Sequence, residues 1–498
     1  MKNACSNGTG LYCLILSVLL VVGLFSSCGG TEPESVPSES PASSETQVPE
    51  ETETTDYLEN LPTKKYDGKT FTIIGEDTVQ RPNFDTGEST GDIFNDAMFN
   101  RRITVENLYD LVIEQKSMEN RSASNDEVQR SVLADESVYD LVSNPFIQGS
   151  AVLMANNILL DMKKMPVVDF SKKWWSQNVV EHFTVHDSLY LSTGTLSPSY
   201  FLAATAVLYN LDLAEQYQME NPADLVPEGK WTVDSMRTMM LNSTLDLNGD
   251  GVIDENNDLI GAIATSEAGR ALFIGAGGSL IEKQDDTFIL DLITPNNVDV
   301  MDTLHSIFDD KLDSAYWVDA HTTDVTVGKN DVFESNHSMF AVTTLMFVSA
   351  ELRDMDSDYG ILPLPKWNET QDDYITPGNP FCPCAVCVPK TCEDTSVTGL
   401  VMETLTYLGY RDIQPVVYDT VLKGKVARDP SSASIMEILY RDVCFDFNSA
   451  FDLGGTMSSL REYIVGGSDQ FISIYEANKK VAQSQLDKIM KQIQELNG

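Results

Sequence analysis

The sequence predicts an α/β protein with mixed, mostly parallel sheets flanked by helices. Short apolar runs of strand character alternate with longer stretches at helical spacing through nearly all of the chain after residue 60. Apolar residues make up 42% and aromatic residues 9% of the 498 positions, enough to bury a large core. No repeat of about 20–50 residues stands out, which counts against a helical solenoid.

Taken in order, Tyr66-Asp67-Gly68-Lys69 is turn chemistry leading into residues 70–75 (TFTIIG), a strand that ends at a glycine. Residues 92–108 place Phe94, Met98, Val105 and Leu108 on one helical face, with Arg101 and Arg102 outside it. Residues 111–113 read as strand, 125–134 as helix and 139–142 as a buried strand. The alternation continues through an apolar run at 203–210, a capped helix at 231–241, a strand at 338–342 and a helix at 397–410. Residues 471–496 carry Ile474, Val481, Leu486, Ile489, Ile493 and Leu496 along one stripe, a long amphipathic helix closing the chain.

Charge excludes one class of partner. With 33 Lys and Arg against 76 Asp and Glu, the net charge is -43, and a polyphosphate surface would repel it. The N-terminus reads as an address. Residues 11–25 form an apolar run too short for a membrane span of about 20 residues, and it ends in Leu24-Phe25-Ser26-Ser27-Cys28. Small residues before a cysteine resemble the lipobox of bacterial lipoproteins, so residues 1–28 are expected to be a signal peptide with Cys28 lipidated. Residues 29–60 hold nine acidic side chains and neither Lys nor Arg, and are expected to be a disordered tether. No later apolar run approaches the length of a spanning helix.

Of eight cysteines, Cys5 and Cys13 would leave with the signal, so Cys382, Cys384, Cys387, Cys392 and Cys444 remain beside Cys28. Four of them crowd one apolar run interrupted by Pro383. The run reads as a buried strand, with a zinc site or a disulfide to Cys444 as rival readings. Asp246, Asn248, Asp250 and Asp254 occupy loop positions 1, 3, 5 and 9 around Gly251, as a calcium loop requires. Asn257 stands where the last bidentate ligand belongs and Asp258 follows it, so the expectation is a structural Ca²⁺ held by Asp246, Asn248, Asp250, Asp254 and Asp258. The rival is an acidic Asx turn without metal. His182 and His186 are four apart, yet Thr184, Val185 and the strand-like DSLYLS after them favour an exposed turn over a metal pair. Residues 275–279 (GAGGS) lack the Lys-Ser/Thr of a phosphate loop and read as a tight turn. No nucleophile elbow or zinc-protease motif is present, and no catalytic residue is assigned.

A set of segments spread along the body then becomes informative in its order. GDIFNDAMFNRRITVENLYDLVIE, YDLV, DMKKMPVVDFSKKWWSQN, DSLYLSTGTLSPSY, EGKWTVDSM, DLNGDGVIDENND, FIGAGGSLI, YGILPLPKW and LKGKVARDPSS together resemble the extracellular solute-binding proteins of family 1, lipid-tethered carbohydrate receptors of ABC importers. The resemblance implies a two-lobed periplasmic-binding-protein-like fold of type II, with a hinge and a ligand cleft between α/β lobes. By motif order, lobe 1 is expected at 64–196 and 338–412, and lobe 2 at 200–335 and 415–498.

Sugars need aromatic faces and planar polar groups, and strand ends and lobe crossings would supply them. The candidates are Asn144 and Phe146 after YDLV; Ser197, Ser199 and Tyr200 at a first crossing; Thr343, Thr344 and Met346 at a second; Asn379 and Phe381; and Phe451 and Asp452 before Gly454-Gly455. The Trp174-Trp175 pair is a further candidate with core packing as its rival. The resulting expectation is a monomeric, non-enzymatic receptor, held outside the membrane by lipid alone, that passes a mono- or oligosaccharide to permease subunits of an ABC importer. No organic cofactor is expected. The alternatives are a surface glycoside hydrolase and a glycan-docking lipoprotein without a transporter.

Overall fold

The computed structural model describes residues 56–76, 87–308, 315–317, 331–350, 352, 355–382, 384–423, 432–465 and 470–497. The leader, Cys28 and most of the expected tether lie outside these residues. Residues from Thr55 onward form one compact unit.

Thirteen strands are described: β1 (Lys69–Glu76), β2 (Leu111–Met118), β3 (Leu141–Asn144), β4 (Thr205–Asn210), β5 (Ile260–Ala264), β6 (Glu282–Gln284), β7 (Thr287–Ile289), β8 (Ala315–Trp317), β9 (Ser338–Thr344), β10 (Tyr359–Leu362), β11 (Thr376–Pro377), β12 (Ala385–Cys387) and β13 (Val443–Cys444). The first sheet runs β12-β3-β1-β2. Its middle strand β1 buries Phe71, Ile73 and Ile74 completely and is parallel to both β2 and β3, while β12 joins β3 antiparallel. The second sheet runs β10-β4-β9-β5-β8. There β5 is parallel to β8 and β9, whereas β4 is antiparallel to β9 and β10.

Helix ends follow local chemistry. The Asp92 carboxylate accepts from Asn95 N at 2.9 Å to start the helix Ile93–Tyr109, and Asp110, at φ 51°, ends it in the left-handed region. A Thr232–Ser235 capping box starts Val233–Ser243. Asp394 caps Thr395–Leu408, and the closing helix spans Phe471–Asn497. Arg101 departs from its expected outward position. It is buried and donates to the carbonyls of Thr195 and Leu196 at 3.3 and 3.0 Å, tying the first helix to the chain leaving the first sheet.

Two boundaries differ from the sequence expectation. The first concerns the segment 338–412, placed in lobe 1. β9 and β10 instead pair inside the second sheet, so this segment divides, and the chain returns to the first sheet only between Leu362 and Ala385. Thr343 and Thr344 therefore end a central strand and do not lie on a crossing. Strand pairing is set by partners far apart in sequence, which motif order does not encode. The second concerns the tether, expected to run to residue 60. Tyr57–Asn60 form a turn of helix whose Tyr57 ring lies 4.6 Å from Trp174 and 5.3 Å from Tyr407, so the ordered body starts earlier.

Cys387 ends the strand β12, and Cys382, Cys384 and Cys392 flank it; all four are buried, Cys444 is half-buried, and none of the five forms a disulfide among the described residues. Burial pushes the Cys387 thiol up to about 12. None of Cys382, Cys384, Cys387 and Cys392 is expected to react with Ellman's reagent at pH 8 in the folded protein, and all are expected to react in 6 M guanidinium. Rapid labelling of Cys387 before unfolding would contradict the packing.

Candidate functional site

Among the described residues the chain passes between the two sheets twice, and a third segment meets both passages. The first passage lies between Ser192, bridged to Val386 of β12, and β4. The second joins β10 to β12, and the third segment, at β13, pairs with β11 of the second passage. Asn379 N donates to Ala203 O at 2.9 Å and Gly378 N to Cys444 O at 2.8 Å, so all three are stitched at one point. Only glycine fits at position 378, because a Cβ there would come within 2.2 Å of the Phe445 ring. The buried Arg270 donates to Gly378 O at 2.9 Å from the second-sheet side.

Phe381 lies just beyond this junction. The Arg121 guanidinium is 5.5 Å from its ring centroid and that of Arg461 is 5.7 Å away. The two arginines come from different halves. Arg121 opens the helix Arg121–Leu133 after the carboxyl end of β2, and its Nε is 3.1 Å from Oε2 of Glu76, the last residue of β1. Arg461 sits on the helix Thr456–Ile464 and pairs with Glu267, which opens the helix after β5. Arg270 also reaches Glu267, at 3.3 Å. The carboxyl ends of β1, β2 and β5 thus converge on one aromatic ring, where open α/β sheets bind ligands. The Arg461 Nε is buried without a hydrogen-bond acceptor among the described residues.

The expected site residues fall in different places. Phe381 is in this constellation, and Asn379 shapes it: its Oδ1 accepts from Phe381 N at 2.9 Å. Asn144 is fully buried and supports it from behind, accepting from Glu76 N at 3.0 Å and donating to Ser124 and Asn125. Phe146 is core, stacked 4.6 Å from Phe445. Ser197 and Ser199 are buried within the first passage. Tyr200 is buried there too, its hydroxyl accepting from Val443 N at 3.4 Å. Thr344 ends β9 on the same carboxyl edge as β5, its hydroxyl buried without a partner among the described residues. Asp452 caps the helix bearing Arg461, accepting from Met457 N, Ser458 N and the Ser458 hydroxyl. Phe451 and Asp452 line a separate cavity of 280 Å³ against Gln148 and Lys488. Residues 174 and 175 are core tryptophans, both indoles donating to the buried Glu403.

Arg121, Arg461, Glu76, Glu267 and Arg270 were missed. A usable signal existed: basic residues are scarce in this acidic chain, and Arg121 follows closely on a strand end. The calcium loop is described, and its carboxylates accept backbone N–H groups. Asp246 takes those of Gly249 and Gly251, Asp250 that of Val252, Asp254 those of Asn256 and Asn257, and the buried Asp258 those of Leu247 and Asp254. Among the described residues no three acidic, His or Cys side chains converge on a point that could hold a metal ion. His182 lies inside the helix Gln177–Phe183 and His186 in the turn after it, with Nδ1 3.4 Å from Asp286.

Asp446 titrates just after β13. Burial pushes its carboxyl up to about 6 from the usual 3.8, against the opposing pull of Ser449 N and Arg270. A raised carboxyl favours the native state at low pH, and that contribution is lost as pH rises through about 6. Asp446→Asn keeps an acceptor for the Ser449 N–H. It is expected to exceed the parent in stability at pH 7.5 by about 1 kcal/mol after solvent screening, and to match it near pH 4. Urea melts at both pH values check this, and a difference independent of pH would contradict it.

Comparison with known proteins decides the fold. No family model matches the sequence, and no curated relative matches it. Solved structures do. A cyclic α-maltosyl-1,6-maltose binding protein from Arthrobacter globiformis superposes at TM-score 0.55 with 10% identity, over 85% of this chain and 99% of that one. An ABC substrate-binding protein from Listeria monocytogenes, solved with cycloalternan, gives 0.53 and 12% over 86% and 99%. Maltose-bound MalE3 of T. maritima gives 0.52 and 12% over 84% and 99%. The chain has the two-lobed ABC solute-binding fold. The two sheets are the cores of the two lobes, and the stitched passages join them. Phe381 and its two arginines stand at the lobe junction. No helix among the described residues is long and apolar enough to cross a membrane.

Proposed function

We propose that this chain is an extracytoplasmic receptor that binds a mono- or oligosaccharide between its lobes and delivers it to an ABC importer. The observation that carries the reading is the Phe381 ring, flanked by Arg121 from one lobe and Arg461 from the other. An aromatic face suits the C–H side of a sugar ring, and guanidinium forks suit pairs of hydroxyls. A ligand touching both arginines binds the closed state better than the open one and so shifts the hinge equilibrium. The solute-binding proteins of similar fold were solved with cycloalternan and with maltose, which supports a carbohydrate.

The reading is non-enzymatic. The two carboxylates at the junction, Glu76 and Glu267, are each held by a guanidinium, which suits them to accept hydrogen bonds and not to protonate a leaving group. In this reading Cys28 carries the lipid anchor, the protein works as a monomer, and the importer's permease subunits are its partners.

Thermal unfolding of the purified chain against neutral mono- and oligosaccharides tests the proposal. One sugar class at 100 times its dissociation constant should stabilise the protein by about 2.7 kcal/mol, with no product formed. No shift with any sugar would overturn the carbohydrate assignment, and release of product would turn it to a hydrolase. Calcium in the loop at 246–258 is a proposal within the same experiment. Adding 1 mM Ca²⁺ after chelation is expected to raise the melting point, and an unchanged melting point would leave the loop as a self-satisfied Asx turn.

A further inference from the structure

The hairpin of β6 and β7 belongs to neither main sheet. It is rooted in the second lobe, between the helices Ser266–Gly275 and Pro295–Phe308 that follow β5. The Tyr475 hydroxyl of the closing helix pins its exit, donating to Leu290 O at 3.2 Å and accepting from Leu292 N at 3.4 Å. Two strands of three residues do not hold together in water by themselves, so this hairpin needs a surface to lie on.

The surface it uses belongs to the first lobe. Lys283 and Phe288 are partners across the two strands, so their side chains share one face, while Glu282, Gln284, Thr287 and Ile289 are exposed. Lys283 Nζ donates to Glu181 O and to Thr184 O, the latter at 2.6 Å, and so meets carbonyls at the C-terminal end of the helix Gln177–Phe183. Phe288 is buried, its ring stacked 4.2 Å from that of Phe447, which in turn lies 5.4 Å from Phe183 of the same helix. At the tip of the hairpin the Asp286 carboxylate accepts from His186 N at 2.7 Å and lies 3.4 Å from His186 Nδ1. The chain runs on from His186 to Ser192, which bridges to β12 of the first sheet.

We propose that the β6–β7 hairpin is a strap that holds the two lobes in the arrangement where Arg121 and Arg461 both reach Phe381, and that its release lets the lobes part. Lobes stitched at one point can rotate about it, and a second tie removes that freedom. The strap is made of few bonds and its Asp286 is half-exposed, so it can break and re-form while both lobes stay folded. A chain held ready in this way spends less of its ligand's binding energy on bringing the lobes together.

Small-angle X-ray scattering of the ligand-free purified chain tests this, on the parent, on the double variant Lys283→Ala with Asp286→Ala, and on Asp286→Asn, which keeps an acceptor for the His186 N–H. The double variant is expected to show a larger radius of gyration and a longer maximum dimension than the parent, with the parent's far-ultraviolet circular dichroism. Asp286→Asn should scatter as the parent does. If the double variant loses its circular dichroism, Asp286→Ala alone carries the same comparison. A double variant whose scattering superimposes on the parent's or is more compact overturns the strap, and so does an Asp286→Asn protein as expanded as the double variant. No sugar enters this measurement, so its failure leaves the receptor reading standing, and the absence of any sugar-induced thermal shift leaves the strap standing.

Discussion

Arg461→Ala is expected to weaken binding of the cognate saccharide at least about 30-fold, or about 2 kcal/mol, while leaving the far-ultraviolet circular dichroism unchanged. The side chain contributes three things together: a face on Phe381, a partner for Glu267 and a contact from the second lobe. Arg270 also pairs with Glu267, so the carboxylate is not abandoned and the fold should hold. Arg461→Lys keeps the charge and loses the planar stack, so its affinity should fall between the two. Calorimetric titration with the sugar that stabilises the parent measures both variants. An Arg461→Ala protein that binds as the parent does would remove the lobe junction as the ligand site.

The largest effect on stability is expected at Glu403. Its carboxylate accepts from Trp174 Nε1 at 2.9 Å and from Trp175 Nε1, Asp169 N and the Tyr57 hydroxyl, each at 3.1 Å. Burial raises its pKa and all four donors pull it back down. Glu403→Leu would leave these donors facing an isobutyl group, two of them indoles deep in the core. The cost should be about 3–5 kcal/mol, read as a fall in the urea midpoint without loss of the transition's cooperativity. Glu403→Gln retains one acceptor oxygen and should lose about half as much. Glu403→Leu melting with the parent would mean that the tryptophan pair is held by packing alone.

Glu403 also shows where sequence reading stopped. The spacing in 397–410 announced a helix, and the helix is there, but nothing local separates a buried Glu from a solvated one in so acidic a chain. The tryptophans it binds lie about 230 residues away, so their choice between core and ligand face was open in the sequence. The same holds at Phe146 and Asn144. Both were chosen as residues following a strand; Asn144 is the last residue of β3 and Phe146 comes just after it, yet neighbours from residues 124, 125 and 445 consume them. Phe381 was picked from a polar-aromatic loop and does stand at the lobe junction. Its two flanking arginines come from segments 260 residues before it and 80 after it.

Local order along this chain was determined by the sequence alone. Strand and helix periodicities, the Asp92 and Thr232 caps, the closing amphipathic helix and the burial of the cysteine run depend on neighbours a few residues apart, so a linear reading captures them. The tertiary structure decided which sheet β9 and β10 join, which aromatic rings are spent on the core, and which charges face one another. Those outcomes depend on strand pairing and desolvation between residues hundreds of positions apart. A hydrogen-bond donor or a guanidinium acquires its role only when the fold sets its partner a few ångströms away.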